Sequence, residues 1–164
     1  MIGSAGDKSL SIMSSTATYT VTGGVTNGGT GFAAIDTLGY RYAAIDLELS
    51  PSNTTSNAPS LITLGESDTT NLTAGSTSIS DITAFHGLTA TATNCGYLIP
   101  VTGVKTALNN IYRMNVDLRP RKRMLYVTWN PVTTMSGLVN VRLSRGEAIN
   151  IAAASGGAQA WVEG

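Results

Sequence analysis

Histidine and cysteine are the side chains most readily recruited as base and nucleophile, and this 164-residue chain carries one of each, His86 and Cys95. A covalent mechanism would need that pair, or His86 with a serine and a carboxylate drawn from elsewhere in the chain. No motif supports either arrangement: His86 falls in the loop-like run Phe85-His86-Gly87, and no Gly-x-Ser-x-Gly elbow occurs. The two read as a loop histidine and a small buried or half-buried thiol, and the chain as non-enzymatic.

A lone cysteine excludes an intrachain disulfide and a cysteine-rich zinc site, so stability has to come from packing. Glu66, Ser67, Asp68 and Asn71 make an oxygen-rich loop that Asp81 is near enough in sequence to join around a hard cation such as calcium. The spacing is not that of an EF-hand, and such side chains more often cap their own backbone. No metal and no cofactor is expected. Gly28, Gly29 and Gly31 lack the Gly-Lys-Ser/Thr ending and the following helix of a phosphate cradle, and read as a linker.

Arg119, Arg121, Lys122 and Arg123 form the one basic concentration. They read as a solvated turn, or as a docking point for carboxylates on a protein neighbour. Trp129, Tyr42, Tyr97 and Tyr126 offer rings that can stack on sugars, although aromatic residues in strands more often fill cores or protein interfaces.

Ten basic and ten acidic residues leave no net charge, and charged residues are 12% of the chain, with Ser and Thr supplying about a quarter. Such a surface projects no single-sign field toward nucleic acid or an anionic membrane, and it resists self-association poorly. Assembly with other proteins is therefore expected, without nucleic acid or membrane as partner. No signal-like leader and no run of 18 apolar residues occurs, so the chain is expected to be made in the cytoplasm without a membrane span.

The elements that would position these residues are strands. Residues 1–31 are dominated by Gly, Ser, Thr and Ala and read as a flexible or partner-ordered arm, in which the alternating run around Tyr19 and Val21 can add to a sheet edge. Residues 32–164 read as a single β-sandwich domain. In Tyr40–Leu49, Ile45, Leu47 and Leu49 alternate with Asp46 and Glu48, and Leu61–Gly65 follows as a second strand. Residues 79–85 form a weaker segment, a short strand or a turn, and 89–99 are Thr-rich and β-prone. Tyr112, Met114, Val116 and Leu118 alternate with Arg113, Asn115 and Asp117; with 123–129 beyond the Arg119–Lys122 turn, this predicts a hairpin. Gly137–Ser144 repeats the alternation with Val139, Val141 and Leu143. The tail, 148–163, reads as two short strands or a frayed helix. The architecture expected is all-β, a β-sandwich or jelly-roll-like domain with an extended N-terminal arm.

The runs Tyr42-Ala43-Ala44-Ile45-Asp46, Leu64-Gly65-Glu66-Ser67-Asp68-Thr69-Thr70 with Ile79-Ser80-Asp81-Ile82, and Val116-Asp117-Leu118-Arg119 leading into Arg123-Met124-Leu125-Tyr126-Val127 resemble the small virion proteins of tailed bacteriophages, covering roughly 40–144 as a pattern. Within that group the resemblance is to capsid decoration, or cement, proteins. It implies a virion location on the outer capsid surface, a homotrimer, and the major capsid protein as partner, and it brings no catalytic or ligand residues. Partner contacts are expected at Tyr19 and Val21 through strand addition and at Arg119, Arg121, Lys122 and Arg123 through charge. A tail, neck or fibre-base component and, in another class, a carbohydrate-binding module are the alternative readings.

Overall fold

Apolar–polar alternation, clearest in Tyr42–Leu49 and Gly137–Ser144, puts one face of a strand into a core, whereas Leu61–Ser67 and Met124–Asn130 are buried on both faces over much of their length. The computed structural model describes residues 10–11, 19–20, 30–49, 59–91, 93, 95–100, 110–130, 137–144 and 160–163. These contain β1 (Leu10–Ser11), β2 (Tyr19–Thr20), β3 (Gly31–Asp36), β4 (Tyr42–Leu49), β5 (Leu61–Ser67), β6 (Ser80–Asp81), a 3-10 turn (Thr83–Phe85), β7 (Gly87–Thr89), β8 (Tyr97–Ile99), β9 (Asn110–Asp117), β10 (Met124–Asn130), β11 (Gly137–Ser144) and β12 (Ala160–Glu163).

The strands form two sheets. The first runs β1-β11-β4-β9-β12, with β2 also on the outer edge of β11; the second runs β3-β10-β5-β7-β8, with β6 also on β5. Pairing is antiparallel except for β12 on β9 and β7 with β8. One core joins the two layers. The first sheet contributes Ile45, Leu47, Leu49, Tyr112, Met114, Val116, Val139, Val141 and Leu143, and the second faces it with Ile35, Ile62, Leu64, Leu125, Val127 and Trp129. The molecule is an all-β sandwich. On one flank β12 packs against β8 and the 3-10 turn, closing the seam between the sheets. Among the described residues no helix is long and apolar enough to cross a membrane.

Several expectations hold to the residue. Ile45, Leu47 and Leu49 are buried along β4, and Val139, Val141 and Leu143 along β11. Residues 79–85 divide into β6 and the 3-10 turn, and 89–99 contribute only the end of β7 and, after a loop, β8. Gly31, taken from sequence as the end of a linker, is instead the first residue of β3. The reason is steric: a Cβ at Gly31 would stand 1.9 Å from Cε2 of Trp129, so the indole lies flat over the glycine backbone. Gly137 reaches in from the opposite sheet, where a Cβ would stand 2.3 Å from Cζ2 of the same ring. Of the tail, 160–163 form β12, and 148–159 lie outside the described residues.

The predicted hairpin is not formed. β9 belongs to the first sheet, between β4 and β12, and β10 to the second, between β3 and β5. Alternation dictates which face of a strand is buried, and two apolar faces meet as well across a core as side by side. The Leu118–Arg123 connection is therefore an arch between layers. A second arch, Thr37–Arg41, joins β3 to β4 beside it, with Gly39 at φ 86° making its turn.

Candidate functional site

The two arches together form one end of the sandwich and bring the sequence-predicted basic residues into one place. Their backbones are bonded directly. Thr37 donates both its N–H, at 2.9 Å, and its hydroxyl, at 2.6 Å, to the carbonyl of Arg123, and the Leu118 N–H donates to the carbonyl of Arg41 at 2.7 Å. Around this frame, carboxylates meet the guanidiniums of Arg119 and Arg123 and several backbone N–H groups of the basic turn. Asp117 accepts from the Arg119 backbone and guanidinium at 3.0 and 2.9 Å. Glu66 accepts from the Lys122 N–H, Asp68 from the Arg123 N–H, and Asp36 from the Arg123 guanidinium at 3.0 Å. The guanidinium of Arg119 also lies over the Tyr42 ring, 5.2 Å from its centroid.

Charge follows geometry here. The Arg119 guanidinium holds the Asp117 carboxyl at a pKa of about 2, and Arg123 holds Asp36 below the usual carboxylate range. Arg119 and Arg123 are thus each paired with a carboxylate of their own chain, whereas Arg121 and Lys122 have no ion pair among the described residues. The arch end shows solvent Leu38, 65% exposed, with Pro120 and Lys122, and beside them the paired but still exposed side chains of Arg119, Arg123 and Asp36.

The oxygen-rich loop resolves in the same way. Glu66 and Asp68 serve as caps on backbone N–H groups of the turn, Asp81 sits in β6 opposite Gly65, and Asn71 takes the left-handed φ of 60° that asparagine tolerates. Among the described residues no three of His, Cys, Asp and Glu gather as metal ligands.

Residues 68–79 fold back over the outer face of the second sheet. Glu66 pairs with Ser80 at the base of this excursion. Ile79 covers Gly65, where a Cβ would stand 2.4 Å from Cγ2, and the Tyr126 hydroxyl donates to the carbonyl of Thr69 at 2.6 Å. Tyr126 is fully buried on this outer side and stacks on Phe32, ring centroids 5.4 Å apart. Trp129 is fully buried on the inner side. Neither ring can meet a sugar, which removes two of the four aromatics considered for glycan stacking.

Tyr19 stands apart from the basic turn. Its backbone, in β2, pairs with Val139 toward the start of β11, whereas the arch end lies beyond Ser144; at about 3.3 Å per residue the two places are roughly 17 Å apart along the strand. Val21 lies outside the described residues. The Gly96 N–H donates to the His86 carbonyl at 2.6 Å, so the single histidine and single cysteine are neighbours in the fold. Among the described residues the His86 side chain has no hydrogen-bonding or ionic partner, and no base–thiol pair forms there.

Sequence reading missed one polar cluster. On the outer face of the first sheet Arg113 grips Asp46 through two bonds of 2.6 and 2.8 Å, and Arg142 approaches the same carboxylate at 3.5 Å. The Arg113 side chain is only 6% exposed, so this pair is close to desolvated. The alternation marked these residues as solvent-facing; only the register, Asp46 opposite Arg113, reveals the pair. No family model matches the chain, no curated protein matches its sequence, and no solved structure matches it.

Proposed function

We propose that the protein is a structural component of a bacteriophage virion that seats on the outer capsid surface and stabilises it, acting through whole surfaces as a homotrimer bound to the major capsid protein. The observation that carries this reading is strand addition at the outer edge of β11. Leu10–Ser11 pairs with Leu143 and Arg142, and Tyr19–Thr20 with Val139 and Leu138, so the N-terminal segment engages a sheet edge through backbone bonds that tolerate almost any partner strand. The absence of net charge and the low charged fraction favour close packing between protein surfaces over long-range attraction to nucleic acid. At the arch end, the exposed Arg119 and Arg123 guanidiniums are paired with Asp117 and Asp36, so the contact surface combines these ion pairs with Leu38, Pro120 and Lys122.

The test is occupancy on particles. Purified protein incubated with capsids that lack it should saturate defined lattice positions in cryo-electron microscopy and sediment as a trimer when free. Deleting residues 1–29, which spares β3, should lower occupancy at least tenfold. Full occupancy after the deletion removes the strand-addition part of the proposal, and density confined to the tail or neck replaces the capsid assignment.

A further inference from the structure

Two phenol groups at the closed flank of the sandwich have no polar partner among the described residues. Tyr112 projects from β9 into the shared core and is 1% exposed, and Tyr97, from β8 in the other sheet, packs against the same core. The hydroxyl oxygens of both are shielded from solvent and neither has a hydrogen-bond partner among the described residues. The chain is built around the Tyr97 phenol end: a Cβ on Gly87 would stand 2.3 Å from its Cζ and 2.7 Å from its hydroxyl oxygen. β12, whose Ala160 lies in register with Tyr112, packs against β8 and closes the seam over this region. Burial pushes both phenols well above their ordinary pKa, and Tyr97 is raised further by the proximity of Tyr112 and Cys95, so both hydroxyls stay protonated as donors.

A buried hydroxyl with no partner is costly, whereas phenylalanine fits the same ring space without that cost. Two such hydroxyls at one seam, one from each sheet, point to a guest that satisfies them. We infer that the seam between β8 and β9 is a buried hydration site, in which ordered water accepts from and donates to the Tyr97 and Tyr112 hydroxyls and so ties the two sheets together at this flank. Water suits the place because the groups are neutral, each hydroxyl both donates and accepts, and a molecule with several polar partners is retained inside a protein. The inference is independent of the capsid reading.

The experiment uses the full chain and its Tyr97→Phe and Tyr112→Phe variants. Oxygen-17 magnetic relaxation dispersion counts water molecules held for longer than the tumbling time of the protein, and thermal melting runs in parallel. The wild-type protein should show at least one more long-lived water than the Tyr112→Phe variant, whose Tm should fall by about 2–4 °C, since the guest loses a partner. An unchanged water count in both variants overturns the inference, whether Tm rises, as removal of an unsatisfied hydroxyl predicts, or falls through packing alone.

Discussion

At the arch end of the sandwich the Arg119–Arg123 turn and the carboxylates of Asp36, Glu66, Asp68 and Asp117 hold one another in partial contact with solvent. At the opposite end of β10, two glycines from different sheets hold the Trp129 indole by shape alone. The first region is made of charge-assisted hydrogen bonds that water and salt weaken; the second is made of excluded volume that neither touches. Stability should therefore be concentrated around Trp129, and the arch end should be free to change with little structural penalty. That division separates an interior that resists deformation from an end held by exposed charge pairs.

The comparison breaks most readily at the tryptophan. Trp129→Ala should cost about 3–5 kcal/mol in chemical denaturation, because the indole fills space between both sheets and Gly31 and Gly137 offer no side chains to refill it. Gly31→Ala should cost about 1–3 kcal/mol through overpacking, and much of that loss should return in a Gly31→Ala, Trp129→Leu double variant measured against Trp129→Leu. Additivity of the two changes would show that the glycine is not there for the ring.

Next in size is the pair on the outer face of the first sheet. Asp46→Ala leaves the nearly buried Arg113 guanidinium without its carboxylate and should cost about 3 kcal/mol, whereas Arg142→Ala, removing the distant and more exposed partner, should cost less than about 1 kcal/mol. Equal losses would place the energy in general charge balance rather than in the two short bonds. Tyr126→Phe, which removes the bond to the Thr69 carbonyl, should cost about 1 kcal/mol and speed proteolysis within 68–79.

The arch end should give the smallest effects. Asp36 and Asp117 have lowered pKa values in the folded protein, so the folded state binds fewer protons than the unfolded one as the pH falls below the ordinary carboxylate range near 4. Their contribution is complete above that range and declines between about pH 4 and pH 2, and Asp117→Asn should flatten this part of the stability profile. Lys122→Glu should leave Tm within about 1 °C while weakening partner binding. A large loss of stability from it would mean that the turn is as rigidly specified as the interior.

The same contrast explains what could be read before any coordinates. Period-two alternation identified β4, β9 and β11 and their buried faces, because a half-buried strand writes its orientation into every second residue. It did not identify β3, whose Gly31, Ala33 and Ala34 are too small to mark a face; Gly31 lies beneath Trp129, and Phe32 stacks on Tyr126. It could not distinguish an arch from a hairpin, since both satisfy the same burial pattern. The arch-end residues were recognised as a charge cluster, but their neutralisation depends on Asp36, Glu66 and Asp68, which are distant in sequence and are brought in only by strand register.

The excursion over the second sheet has a practical consequence. Its two ends are clamped, by pairing of Glu66 with Ser80, by Ile79 on Gly65 and by the Tyr126 hydroxyl on Thr69, while Ala74 and Gly75 at its tip face open solvent, with nothing within 4 Å of the place a Gly75 Cβ would occupy. A foreign peptide spliced in at the tip would leave and re-enter the scaffold at fixed points. The tip is thus a natural graft site for displaying epitopes.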